Sequence, residues 1–445
     1  MNLARYFRSP ELTPDQLNEE NQITDKKILG RDRMKFGIGC IMYQSEETGL
    51  MPIHTMLVRL LGGGNIALGI VAGAGSASSL VQMLGAIFLR YLKSNKKAMN
   101  LALSGGILFG LLLASSLFLK AIEPRWGMLA LTIYLIGAYG LAGASGIQMN
   151  VESSWIGDLV PKKMLGWFTS VKWIIASLGV LFFTLLFGRI ADWSPTASTF
   201  ALVFLLVAFS HVVAIVLMST VTDRTPQTAK FVSSSAAGGE RLNYKSLPLW
   251  CYIWFYLTWA GGRTALNAFT TAYMLDYFGF GMGKITMLIA LQSAINLVML
   301  FIVGKWSDRL GTRLPLILIS GGIALCMMLW VASAWLGIGA LIAYQLVNGA
   351  AGNTHSMLGI NYGLEIFPAK GRAAYIGFSR VFIGVSAFVA SIAAGFVMEG
   401  LSGWEMTLWG AKLNSYHLFF TGCSLFTASC VLPLLISGHR KVENR

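Results

Sequence analysis

The chain is poor in charge. Only 12% of its 445 residues are Asp, Glu, Lys or Arg, and just 20 are acidic, while 55% are hydrophobic. A soluble domain keeps roughly a quarter of its residues charged, so this composition excludes an ordinary water-soluble globule. Cysteine is scarce as well. Cys40, Cys251, Cys326, Cys423 and Cys430 sit in apolar runs without C-x-x-C spacing, which argues for buried small hydrophobes over disulfides or metal ligands. No G-x-x-x-x-G-K-[ST] stretch occurs, so the chain has no phosphate loop for ATP hydrolysis. Neither an enzyme, a cofactor nor a metal is expected. Residues 1–33 lack the apolar core of a secretory signal, so the first hydrophobic run is expected to stay in the mature protein as a membrane helix.

What the sequence has in abundance is apolar length. A helix crosses the roughly 30 Å hydrocarbon core with about 20 apolar residues, and twelve candidate spans follow one another at 34–58, 63–89, 98–119, 127–155, 164–188, 197–221, 248–275, 283–304, 314–335, 337–362, 373–398 and 414–437. The formal charge of +14 would suggest nucleic acid in a soluble protein. Here the basic residues gather in alternate loops, so they report topology and no nucleic-acid partner is expected. Few of them, Arg59, Lys120, Arg125, Arg189, Lys284 and Lys412, follow odd-numbered spans; many more, among them Arg90, Lys93, Lys162, Lys305 and Arg309, follow even-numbered ones. Both termini are therefore expected in the cytoplasm, in a multi-pass protein of the cytoplasmic or inner membrane.

The longest polar break, 223–246, contains Ser233-Ser-Ser-Ala-Ala-Gly-Gly239 and divides the chain. The expected domains are a cytoplasmic segment 1–33, a six-helix bundle 34–222, a linker 223–246, a second six-helix bundle 247–437 and a tail 438–445. The halves repeat: Asp158-Leu-Val-Pro161 matches Glu365-Ile-Phe-Pro368, and Gly85 matches Gly304. Between the eighth and ninth spans lies Gly304-Lys-Trp-Ser-Asp308-Arg309-Leu-Gly311-Thr-Arg313. Gly304 and Gly311 permit close approach and a tight turn, Asp308 suits a helix N-terminus, and Arg309 and Arg313 suit a cytoplasmic loop. This G-x-x-x-D-R-x-G-x-R pattern resembles the cytoplasmic loop signature of the major facilitator superfamily. The resemblance implies an all-α integral membrane protein, twelve helices in two pseudo-symmetric six-helix bundles, that holds its substrate near the midplane and works by alternating access.

Glu365 and Arg372 resemble the charge-relay element of sugar-porter-like members. The first half departs from the pattern, with Leu89 in place of the acid, Leu92 in place of the second glycine and Leu165 in place of the relay arginine. By resemblance, any gate latch leans on Asp308, Arg309, Glu365 and Arg372, with loop capping by the same residues as the alternative.

Ionisable residues inside a span are costly and mark function. The first span carries Glu46 and Glu47 near mid-membrane depth. Tyr43, Glu47 and His54 share one helical stripe, so Glu47 is the expected proton-coupling residue and Glu46 a secondary one. The seventh span has the stripe Tyr252, Tyr256, Trp259, Arg263, Asn267 and Thr270, with Arg263 its only charge. A substrate competing for Arg263 could couple its binding to proton uptake at Glu47; a permanent Glu–Arg pair is the alternative. Polar stripes also run through the fourth span (Ser145, Gln148, Glu152, Trp155), the tenth (Tyr344, Asn348, His355, Tyr362) and the eighth (Gln292, Asn296). The expected substrate residues are Arg263, Tyr43, Tyr256, Trp259, Asn267, Gln148, Gln292, Asn296 and His355, with an interhelical hydrogen bond as the alternative for those of the fourth, eighth and tenth spans. Lys172 and Arg380 are read as snorkelling or as paired with Glu152 or Glu365, and His211 as a packing residue.

The expected function is secondary transport of a small organic solute, as proton-coupled symport of a sugar or organic anion, with a proton or else sodium as coupling ion, lipid as surroundings and a monomeric state. The runner-up is efflux of a drug or lipophilic cation, against which Trp173-Ile-Ile-Ala-Ser-Leu-Gly179 lacks a G-P-x-x-G-G run. The third reading is a non-transporting receptor or assembly factor on the same fold.

Overall fold

The computed structural model of the chain describes residues 16–18, 22–82, 84–223, 243–310, 312–368 and 372–437. Helices dominate it, and each expected span appears as one helix or as a consecutive pair. Helix α1, Lys26–Cys40, begins earlier than the apolar run because the Asp25 carboxylate accepts from the Lys27 and Ile28 amides and caps it. A π-helical turn, Ile41–Ser45, follows before α2, Glu46–Leu60, which contains Pro52. The expected second span is bent by 43° between α3, Asn65–Val81, and α4, Leu84–Leu92. Then come α5 (Asn95–Ile122), α6 (Gly127–Leu159), α7 (Lys162–Trp193) and α8 (Ala197–Ser219).

The later part of the chain holds α9 (Leu247–Asp276), α10 (Met282–Leu310), α11 (Arg313–Met327), α12 (Leu329–Leu336), α13 (Ile338–Ile366), α14 (Arg372–Gly400), α15 (Ser415–Ala428) and α16 (Val431–Ser437). Among the described residues seven helices are long and apolar enough to cross a membrane, or eight if the bent pair counts as one span. Helix α9, with 30 residues, is long enough at 1.5 Å per residue, roughly 45 Å in all; it carries the polar stripe. The all-α expectation misses a hairpin of β1 (Glu405–Leu408) and β2 (Ala411–Asn414), paired antiparallel. Its turn holds Trp409 at φ 47° and Gly410 at φ 80°, the two positive φ angles that a tight hairpin connection needs.

The chain forms two compact units. The first comprises 1–62 and 77–239, the second 63–76 and 240–445. The expected linker falls almost wholly outside the described residues, and the first part of α3 belongs with the second unit. Glycine explains that placement: a Cβ on Gly69 would lie 2.6 Å from the Ser391 carbonyl and 2.8 Å from the Gly395 backbone on α14. Within the first unit, a Cβ on Gly146 of α6 would run into the Ser78 carbonyl of α3. Backbone cannot step aside as a side chain can. Gly146→Val is therefore expected to destabilise the protein by about 1–3 kcal/mol, read as a lower thermal unfolding midpoint in detergent.

The residues ahead of α1 tie down the end of α6, and α1 itself ties down the end of α8. The Ile23 amide donates to the Leu159 carbonyl at 3.0 Å and Gln22 Nε2 to the Gly157 carbonyl at 3.2 Å. Lys35 Nζ donates to the Thr220 carbonyl at 2.8 Å, and the Thr222 amide to Asp32 Oδ2 at 3.4 Å. Burial outweighs the contacts with Thr222, Arg31 and Lys35 and holds the Asp32 carboxyl above its usual range. Folded protein then keeps this proton at pH values where the unfolded chain has lost it, so its contribution to stability falls as pH rises from about 4. Asp32→Asn is expected to flatten that part of the curve of unfolding midpoint against pH.

Candidate functional site

In the second unit the stripe read from α9 zips against the stripe read from α13. Tyr252 Oη donates to the Gly359 carbonyl at 3.3 Å, and its ring stacks with Tyr362 at 6.3 Å. A Cβ on Gly363 would meet the Tyr252 hydroxyl at 2.9 Å, so glycine on α13 makes room for the tyrosines of α9. Two turns on, Trp259 and His355 lie face to face, 3.6 Å between centroids and 15° from parallel. Tyr256 and Phe255 close around the same imidazole at 6.2 and 5.5 Å.

Arg263 follows in the same row. Its guanidinium carbon is 5.1 Å from the Trp259 ring, and Nη2 donates to Asn348 Oδ1 at 2.8 Å. The side chain is half-buried, and no carboxylate pairs with it among the described residues. A guanidinium offers five donors in a planar fork matched to carboxylates, and Asn348 occupies little of that capacity. His355 Nε2 is buried without a hydrogen-bond partner among the described residues. The cluster thus pairs a cation with a flat aromatic wall. Gln292 and Asn296, both half-buried, lie on α10, with Asn296 Oδ1 shielded and without a partner among the described residues; Asn267 is exposed. Asn267 and Thr270 are the residues of the α9 stripe that the cluster does not gather in; Thr270 Oγ1 donates to the Asn267 carbonyl at 3.1 Å.

The first unit holds a different polar centre. The side chains of Glu46 and Glu47 lie outside the described residues. Of their expected stripe, His54 is taken by Tyr134, through a hydrogen bond, and by Phe204, in a buried aromatic group. Tyr43 falls in the π-helical turn and is buried beside the Glu152 carboxylate of α6. Such turns often accompany functional sites. Glu152 Oε2 is 2.7 Å from Lys172 Nζ of α7, and the two side chains are 3% and 4% exposed. Gln148, one turn before Glu152, donates from Nε2 to the Ala102 carbonyl at 3.3 Å. His211 is a packing residue, its Nδ1 against the Val207 carbonyl at 2.8 Å.

The expectation that Lys172 pairs with Glu152 fits the structure; the sequence reading gave the pair no role. A signal was available. Glu152 lies before the turn at Val160 and Pro161 and Lys172 after it, roughly 12 Å and roughly 16 Å along their helices, so antiparallel helices bring the two within about one turn of each other.

Of the expected gate residues, Gly311 and the side chains of Gly304, Asp308, Arg309 and Arg372 lie outside the described residues. Arg313 caps α16, donating from Nε and Nη2 to the Leu434 carbonyl at 3.1 and 2.8 Å. Thr312 Oγ1 donates to Glu365 Oε2 at 2.6 Å. The first unit has the same joint: Asn95 Nδ2, at the start of α5, donates to Asp158 Oδ2 at 3.0 Å at the end of α6. The repeat read between Asp158 and Glu365 is thus a repeat of contacts. No group of three or more His, Cys, Asp or Glu able to hold a metal occurs among the described residues.

Comparison with known proteins gives a consistent set. The family model described as Major Facilitator Superfamily matches residues 36–358. Among solved structures, the nucleoside transporter NupG aligns at TM-score 0.63 and 12% identity, covering 91% of this chain and 98% of that one. The inward-open xylose transporter XylE from E. coli aligns at TM-score 0.66 and 13% identity, covering 89% and 95%. A D-xylose-proton symporter aligns at TM-score 0.64 and 15% identity, covering 89% and 96%. At such identities the likeness is one of fold. No curated protein matches the chain.

Proposed function

The chain belongs to the major facilitator superfamily, a family of membrane transporters, and from that premise we propose that it carries a small polar organic anion across the membrane together with a proton. Arg263 is the observation that supports this reading most directly. It is a cation half-buried in the middle of a 30-residue helix, held by a neutral amide and set against a flat aromatic ring. An ionisable side chain in that setting is costly unless it meets an opposite charge in the working cycle. The planar Trp259 and His355 pair suits the flat or hydroxylated part of such a solute. Asn348, Tyr256, Asn296 and Gln292 supply hydrogen-bonding groups of the same unit.

Proton coupling fits the D-xylose-proton symporter among the structural relatives. The sequence offers Glu46 and Glu47 as carriers of the proton, and Glu152 is a further buried carboxylate of the first unit. Both termini are assigned to the cytoplasm by the loop charges, and the gate joints to Glu365 and Arg313.

Counterflow with purified protein in liposomes tests the reading. Vesicles loaded with unlabelled gluconate are expected to take up labelled gluconate far faster than protein-free vesicles. Xylose and tetraphenylphosphonium serve as the neutral and cationic comparators. Exchange of either of those without gluconate exchange would replace the anion reading by a sugar carrier or a cation exporter.

A further inference from the structure

The ion pair of the first unit has features that a structural tie does not require. Glu152 and Lys172 are 2.7 Å apart and almost sealed from solvent. Removing two charges from water largely offsets their attraction, so such a pair is weak support for a fold by itself. Around it, Glu152 Oε1, Tyr43 Oη and Gln148 Oε1 are buried without a hydrogen-bond partner among the described residues. Buried polar networks are normally satisfied; here three partnerless atoms gather about one pair. Their positions are fixed. Gln148 is anchored through its other amide atom to Ala102, and Tyr43 stands in the π-helical turn with its hydroxyl toward the Glu152 carboxylate and the Cys40 thiol. The titratable groups that face Glu152 are Lys172 from α7, Cys40 from α1 and Tyr43 from the turn.

We propose that Glu152, rather than Glu46 or Glu47, is the proton-coupling residue, and that its protonation releases Lys172. The proposal rests on the anion-transport reading above. A proton from the outer medium adds to Glu152, which becomes a neutral acid and loses its attraction for Lys172. The ammonium is then a buried cation without a counter-charge, a state far less favourable than the pair. Gln148 Oε1, one turn away on α6, is an acceptor for the new O–H of the acid, and the cost of the bare ammonium favours loss of the proton again. On the other side the solute leaves, and Glu152 gives up its proton and recovers Lys172. One proton and one monovalent anion cross together, and the cycle moves no net charge.

The test uses the full chain in liposomes with labelled gluconate, a pH gradient acid outside, and a potassium diffusion potential set by valinomycin. Wild-type protein is expected to accumulate gluconate at a rate indifferent to the potential. Glu152→Gln is expected to keep gluconate counterflow, to lose acid-driven accumulation, and to leave a flux that responds to the potential. Glu152→Asp, which keeps the carboxylate, is expected to retain coupling and so guards against a folding artefact. Glu152→Gln that still accumulates gluconate under the pH gradient overturns the proposal, as does a lower melting temperature with the pH dependence of transport unchanged. Loss of coupling in Glu47→Gln with Glu152→Gln normal moves the site to α2. Absence of gluconate counterflow in the wild type overturns the anion reading itself.

Discussion

Arg263→Gln is expected to weaken binding of a carboxylate solute about 100-fold, close to 3 kcal/mol, because one member of a desolvated, charge-assisted contact is removed. The substitution keeps a planar amide of similar shape and leaves Asn348 a partner, so the fold should be spared. The expected result is a large loss of solute-induced thermal stabilisation with little change in the unfolding midpoint of the solute-free protein. Arg263→Lys should recover part of the affinity, since it restores the charge without the fork. An unchanged affinity in Arg263→Gln would reduce the contact with Asn348 at 2.8 Å to a tie between α9 and α13.

The second large effect lies in the first unit. Lys172→Met leaves Glu152 as a buried carboxylate without its counter-charge, and breaking such a pair from one side costs about 3–5 kcal/mol. A lower unfolding midpoint in detergent is expected. The double substitution Glu152→Gln/Lys172→Met removes both charges and is expected to recover most of that stability while remaining inactive in proton-driven uptake. Recovery of stability together with recovery of transport would mean that the pair only holds α6 to α7.

The fold was legible because membrane helices advertise themselves. Apolar length, alternating loop charge and the Gly304–Arg313 stretch lead to the same architecture, and the family match over 36–358 agrees. Half of the candidate site was legible for a similarly local reason. Tyr252, Tyr256, Trp259 and Arg263 recur at helical steps on α9, and Asn348, His355 and Tyr362 recur on α13, so each face could be read before the two were seen to meet.

The rest depended on features that hydropathy does not carry. Nothing in Ile41–Ser45 marks a π-helical turn, since its extra residue per turn leaves no trace in hydropathy. The start of α1 rests on the Asp25 cap, nine residues before the apolar run, and polar residues there gave no sign of a span. The hairpin at 405–414 has strands of only four residues, too short for alternation to show. Glu152 and Lys172 were visible as charges, but their weight comes from the partnerless atoms around them, which only tertiary structure reveals.

The central claim, an anion carried with a proton through this chain, is tested most directly by the pH inside proteoliposomes. The purified protein would be reconstituted with an internal pH dye, and gluconate, which does not cross lipid unaided, added outside. The account predicts prompt internal acidification that is absent from protein-free vesicles, greatly reduced by Arg263→Gln and abolished by Glu152→Gln. Gluconate entry with no change in internal pH would contradict proton coupling, and acidification that persists in Glu152→Gln would contradict the place assigned to the proton.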